Sequence, residues 1–318
     1  MDAVERIEIP TPFGIGRVNC YVFAGEELTL LDPGPKTDAA YEELQMFLEA
    51  EGYEIADVDR VLITHPHMDH YGLAGTIVEE SGAEVVAHTD AVDRLADPDG
   101  HFDREQAFFQ PFLVSMGVPE ELVDTVVELP APYTDFREPV TVSRDIKDDD
   151  RITAEAELDV VHTPGHAPGS VCYVANDAGT VFTGDHVMMD VSPNPLLTLR
   201  PGSDDERTRS LPAYLDSLGR IQQVEATVGY AGHREQIPDV PDRATEIIDH
   251  HHERKEAIAE MIADAGRRTA YDIMIELFPD LPATEMFPGM SEVIGHLDLL
   301  EDEGEVDVIR EDGVRQYR

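Results

Sequence analysis

From Val4 to Leu31 the chain runs in short apolar or alternating stretches: Ile7-Glu8-Ile9, Val18 to Phe23, and Leu28 to Leu31. Gly25 and its acidic neighbours mark a hairpin turn between the last two. The third stretch stops at the breaker cluster Asp32-Pro33-Gly34. Apolar positions then take helical spacing from Ala39 to Gly52, with Tyr41, Leu44, Phe47 and Leu48 on one face. A β-rich run ending at Val61-Leu62-Ile63-Thr64, a helix over Tyr71 to Glu80 and a strand over Glu84 to His88 come next. Strand, helix and strand in alternation predict an α/β layer.

Between about residues 90 and 147 the pattern turns helical, over Phe102 to Met116 and then Pro119 to Leu129, with proline in the first turn of the second helix. A loop rich in proline and tyrosine follows, Pro130 to Pro139. This reads as a helical insertion over the active-site face: either a lid with aromatic substrate contacts or additional core. β character resumes at Leu158 to Val161 and recurs at Val171 to Val174 and Thr180 to Thr183. A proline-rich segment from Ser192 to Gly202, a helix from about Asp205 to Ile221 and a last strand ending at Gly232-His233 complete a first unit.

Beyond Pro241 a long helix runs to about Ala265, and its His250-His251-His252 reads as part of a solvated face. Helices over Thr269 to Phe278 and Ser291 to Glu303 precede a hairpin that pairs Glu305 to Ile309 with Val314 to Tyr317 across Asp312-Gly313. The predicted organisation is therefore a first domain over 1–240, a connecting helix over 241–265, and a unit over 266–318 resembling a winged helix.

Composition changes this picture in one respect. The 318 residues are 42% hydrophobic, enough for a large core, but 67 acidic against 23 basic side chains give a net charge of −44. Such a surface repels itself in dilute buffer, whereas at molar salt the Debye length of about 3 Å screens the repulsion. The acids are spread along the chain rather than gathered in one block, which points to a salt-rich cytoplasm rather than to a basic partner. Cys20 and Cys172 are too few for a disulfide framework. With neither a signal-peptide pattern nor a long apolar run, the protein is expected to be cytoplasmic and to have no membrane partner.

The chemistry concentrates at Thr64-His65-Pro66-His67-Met68-Asp69-His70. On an extended segment His65 and His67 converge on one point, and Asp69 and His70 face a second where the chain turns helical. Imidazole and carboxylate are ligands for zinc and similar divalent ions. Further on, two prolines and two glycines fix a tight loop at His162 to Ser170, a device for holding a ligand rigidly.

His-x-His-x-Asp-His after an apolar strand, Thr163-Pro164-Gly165-His166, Gly184-Asp185 and Gly232-His233 each fall where a strand meets a loop. Together they resemble the metallo-β-lactamase-fold hydrolases, in order, over residues about 5 to 240. With a carboxy-terminal winged helix the arrangement is similar to the lactamase-β-like-2 subfamily, and the motifs are also those of glyoxalase-II-like thioesterases. The resemblance implies an α/β protein, an αββα sandwich with a helical insertion. It implies that His65, His67 and His166 hold one metal, that Asp69, His70 and His233 hold another, and that Asp185 bridges them. Asp32, ending a strand in Asp-x-Gly, would orient a ligand histidine. His88, His101, His162 and His186 are not expected to be ligands.

A donor set of nitrogen and oxygen suits two Zn2+ ions best, with iron and manganese as the alternatives. Such ions lower the pKa of bound water from about 15.7 toward about 7, and Asp69 would hold the resulting nucleophile in line. The expected activity is hydrolysis of a small acyl ester or thioester. One alternative is a single-strand endoribonuclease, with RNA stacked on Phe108, Phe109 and Tyr133. Another is an iron-dependent oxidoreductase such as a persulfide dioxygenase. The bases of the last unit, Arg267, Arg268, Arg310, Arg315 and Arg318, are outnumbered by acids, so a structural cap or homodimer surface is expected there rather than DNA recognition. No substrate-binding residue is assigned from sequence.

Overall fold

After β1 (Val4–Ile9), strand β2 (Val18–Ala24) is buried along almost its whole length, because both of its faces meet a core. Successive side chains of a strand point to opposite faces. Cys20 and Val22 pack into one cluster with helix α1 (Asp38–Glu51), while Tyr21 and Phe23 pack into another, against a second sheet. The computed structural model describes residues 4–127 and 131–318, without the side chains of 131–133 and 283. The end of the expected helix at Leu129, Pro130 and the Tyr133 side chain lie outside the described residues.

The same division of labour runs through the first sheet. Strands β3 (Leu28–Leu31) and β4 (Arg60–Leu62) are followed by the short helix α2 (Met68–Tyr71) and by α3 (Ala74–Ser81). The helix expected over 71–80 is therefore two helices, and Asp69 and His70 lie in the earlier one. Then come β5 (Glu84–His88), α4 (Val92–Ala96), α5 (Pro98–Ser115), α6 (Glu120–Val127) and β6 (Arg144–Ile146). The sheet order is β1-β2-β3-β4-β5-β6, parallel from β3 to β6.

The second sheet contains β7 (Arg151–Thr153), β8 (Glu157–His162), β9 (Val171–Ala175), β10 (Thr180–Gly184) and β11 (Val228–Ala231), in the order β11-β10-β9-β8-β7. On β9, Tyr173 faces the first sheet, while Cys172 and Val174 face α7 (Ser210–Ile221) and the start of α8 (Val240–Ala265). Helices thus cover the outer face of each of two stacked sheets, as expected for an αββα sandwich. Helix α7 starts five residues later than the apolar spacing suggested, because Leu199 and Arg207 form a bridge ahead of it.

Helices α9 (Ala270–Leu277) and α10 (Met286–Glu303) and the hairpin of β12 (Val308–Glu311) with β13 (Val314–Tyr317) end the chain. The hairpin turns at Asp312-Gly313 as expected, with Val308 opposite Tyr317. Phe109 and Leu113 of α5 and Val123 of α6 share one core with Ile258 and Ile262 of α8, Ile273 of α9 and Val293 and Leu297 of α10. Each such side chain contributes about 1.5–3 kcal/mol on burial. That is too large a sum for a freely swinging lid, so of the two readings of the insertion the structure selects additional core. The histidine run in α8 is only partly solvated: His251 is buried, close to His296 of α10. No helix among the described residues is long and apolar enough to cross a membrane.

Candidate metal centre

Strands β3, β4, β8, β10 and β11 all end on one edge of the sandwich, and each delivers a polar residue there. In open α/β sheets ligands gather at the carboxyl ends of strands. Asp32 follows β3, Thr64 and His65 follow β4, His166 lies on the loop after β8, Asp185 follows β10, and His233 follows β11. The helical residues His70 and Asp69 come from α2.

His65, His67 and His166 offer ligand atoms close enough to share an ion, and so do Asp69, His70 and His233. His166 Nε2 lies 3.0 Å from His67 Nδ1, and His233 Nε2 lies 3.2 Å from Asp69 Oδ2. Asp185 sits between the two sets: its Oδ1 is 3.5 Å from His70 Nε2, and its Oδ2 is 3.6 Å from His233 Nε2 and 3.8 Å from His166 Nε2. All seven residues of the expected set therefore converge.

Most of these rings are also oriented from behind. The His70 Nδ1–H donates to Asp32 Oδ2 at 2.8 Å, and the same carboxylate accepts from the Thr64 amide at 2.8 Å and the Thr64 hydroxyl at 2.6 Å. Because that hydroxyl gives its proton to Asp32, its oxygen accepts from His65 Nδ1 at 3.0 Å. His166 Nδ1 donates to the Asn194 carbonyl at 2.9 Å and His233 Nδ1 to the Arg17 carbonyl at 2.8 Å. A carbonyl only accepts, so these partners dictate the tautomer. In four rings Nε2, the nitrogen these partners leave over, is aimed into the cluster. Among the buried polar atoms without a hydrogen-bond partner in the described residues are His65 Nε2, His70 Nε2, His233 Nε2 and Asp185 Oδ1. Buried polar atoms are rarely orphaned, and a group that ligates with them resolves all four at once. The residues present fit a divalent metal pair.

The electrostatics agree. Burial and then the neighbouring rings push the His65 ring well below its ordinary pKa. Burial acts the same way on His70, but the carboxylates of Asp185, Asp69 and Asp32 outweigh it and hold that ring well above its ordinary value. Burial would raise the Asp185 carboxyl, yet His233 and His70 overcome that and pull it down. The cluster stores negative charge that attracts a cation. Two glycines permit the close approach. A Cβ on Gly232 would lie 2.4 Å from Asp185 Oδ1, and one on Gly184, at φ +49°, would lie 2.6 Å from Thr64 Oγ1.

The carbonyls of Arg17 and Asn194 were not legible in the sequence, since they act through backbone that any residue supplies. The Asn194 loop is held in turn by α10: Asn194 Nδ2 donates to the Pro288 carbonyl at 3.0 Å, and the Leu197 amide to Ser291 Oγ at 3.2 Å. His186, read as a neighbour of the cluster and not a ligand, is buried against Tyr214. His88 and His162 stack at 3.8 Å beside Asp90, outside the cluster.

A family profile described as the metallo-beta-lactamase superfamily matches residues 13–233. "Probable metallo-hydrolase YqjP" of Bacillus subtilis is 32% identical over 300 residues, covering 94% of this chain and 92% of that protein. A crystal structure of a metallo-beta-lactamase family protein of Thermus thermophilus superposes with a TM-score of 0.82 at 29% identity, covering 100% and 99% of the two chains. A shorter match, 28% identical over 155 residues, is to the "Atrochrysone carboxyl ACP thioesterase" of Aspergillus chevalieri, covering 48% of this chain and 46% of that one.

Proposed function

Because the chain belongs to the metallo-beta-lactamase superfamily and is a metal-dependent hydrolase, we propose that it is a dinuclear zinc enzyme that cleaves a small acyl thioester or ester. The observation that carries this reading is the convergence of four buried, unpartnered ligand atoms, from His65, His70, His233 and Asp185. His65, His67 and His166 would hold one ion, Asp69, His70 and His233 the other, and Asp185 would contact both. When bound, the pair supplies Lewis acidity, which acidifies water and polarises the acyl oxygen. Asp69 is the more exposed of the two clustered carboxylates, at 14% against 9%, so it is the one placed to orient the attacking water and receive its proton. Asp32 and Thr64 keep His65 and His70 in the tautomers that leave Nε2 free.

The thioester choice rests on the motifs shared with glyoxalase-II-like enzymes and on the carrier-protein thioesterase among the relatives. RNA is less well served. Phe109 is buried and Phe108 is half-buried against the same core, so at most one ring of the pair is open for stacking. The deciding experiment pairs metal analysis with a panel of thioesters, phosphodiesters and RNA. The expected result is about two equivalents of zinc and turnover of thioesters, which chelation abolishes and zinc restores. Cleavage of RNA alone would replace this reading with the nuclease, and iron with oxygen uptake would replace it with the oxidoreductase.

The acidity supports a companion proposal, that the enzyme works in a salt-rich cytoplasm. The melting temperature should rise by several degrees or more as KCl goes from about 0.1 M to about 2 M, as the Debye length falls from about 10 Å toward 3 Å and below. A melting temperature that is flat or falls over that range would count against it.

A further inference from the structure

Arg94, on α4, has a guanidinium with little to hold. Its side chain is only 20% exposed, yet it makes no hydrogen bond with the described residues, and its ion pair to Glu105 is long at 3.8 Å. That acid is already engaged. Glu105 Oε1 accepts from the Thr198 hydroxyl and from the Leu199 amide at 3.2 Å, and it lies 3.3 Å from His101 Nε2. A guanidinium on a largely covered side chain, with its fork of donors taken by no described residue, is free to hold a ligand.

Arg94 lines a pocket together with Pro66, His101, Pro168, Thr198 and Arg200. The pocket lies beside the metal cluster rather than over it. Pro66 stands between His65 and His67, and Pro168 lies two residues beyond His166. A group seated there would lie beside the segments that carry His65, His67 and His166.

The local charge balance selects the ligand. Three arginines and three aspartates line this pocket, whereas the whole chain carries 23 bases against 67 acids. It is the kind of ground on which an anion is not repelled. With Asp90, Asp93 and Asp204 also present, a single negative charge is better tolerated than a phosphate dianion. A planar guanidinium matches a carboxylate with two parallel hydrogen bonds.

We propose that Arg94 binds a carboxylate at the far end of the acyl group, so that the preferred substrates are half-thioesters or half-esters of dicarboxylic acids. This rests on the hydrolase reading above and specifies its substrate. The test uses zinc-loaded full-length enzyme in molar KCl with succinyl, glutaryl and adipyl thioesters, each compared with the monocarboxylic thioester of equal chain length. Wild type should favour at least one dicarboxylic member by about tenfold or more in kcat/KM. That ratio should fall to about one in Arg94→Gln and be only partly retained in Arg94→Lys, which keeps the charge but not the fork. Absence of any such preference in wild type, or an unchanged ratio in Arg94→Gln, would overturn the proposal. If wild type cleaves no thioester at all, it is the thioester reading that fails. Calorimetry with glutarate against valerate then decides the Arg94 site: tighter glutarate binding by wild type than by Arg94→Gln supports it, and equal binding overturns it.

Discussion

Exchanging Asp185 for asparagine is expected to reduce bound metal from about two equivalents to about one and to lower turnover on the order of 10²–10³-fold. The reason lies in its position. Asp185 approaches rings from both halves of the cluster, at 3.5 Å from His70, 3.6 Å from His233 and 3.8 Å from His166. Asparagine has nearly the same shape but replaces one oxygen with a donor and removes the charge. Metal content after exhaustive dialysis, measured beside kcat/KM, checks the prediction, and circular dichroism separates it from misfolding. Full activity with two retained ions would show that the halves are held independently.

Replacing Asp32 with alanine acts one layer further out and should be felt twice. The carboxylate accepts from the Thr64 amide, the Thr64 hydroxyl and His70 Nδ1. Without it, the His70 ring loses its partner and the Thr64 hydroxyl that serves His65 loses the acceptor that orients it, and metal affinity should drop by about 10–100-fold. Stability should suffer as well, because hydrogen bonds to a charged group are worth about 1.5–3 kcal/mol each. Asp32 also sits at φ +55°, a left-handed conformation that aspartate tolerates better than alanine. Asp32→Gly removes the same hydrogen bonds without that backbone penalty. The difference between the two variants in denaturant unfolding should be about 1–2 kcal/mol in favour of glycine. Equal stability of the two would mean that the loop relaxes out of the left-handed region once the carboxylate is gone.

The two replacements differ in kind, and their contrast is informative. Asp185 contributes an atom to the cluster, whereas Asp32 contributes the orientation of atoms belonging to others. Excess zinc should therefore recover much of the activity of Asp32→Gly and little of that of Asp185→Asn.

The sequence by itself determined the layering of the fold and the composition of the cluster. The alternation of strands and helices is enough for an α/β layer, and the motif resemblance implies the αββα sandwich; that each face of β2 or β9 has a core of its own is seen only in the folded chain. The metal-binding residue types were legible because they cluster at strand ends, in Thr64 to His70, Thr163 to His166, Gly184-Asp185 and Gly232-His233. Other features required the folded chain. The apolar pattern of residues 98–127 says that a face is buried but not against what, and only packing revealed a core shared with α8, α9 and α10. The burial of His251 was hidden for the same reason: an imidazole in a charged helix gives no sign of which neighbour covers it. Backbone carbonyls carry no residue-type signal, so the roles of Arg17 and Asn194 emerged only from distances. Arg94 is the extreme case. In sequence it is one arginine among many. What sets it apart is the combination of a largely covered side chain, no hydrogen bond to the described residues and a place in the pocket beside the cluster, which belongs to the surroundings and is visible only in the folded chain.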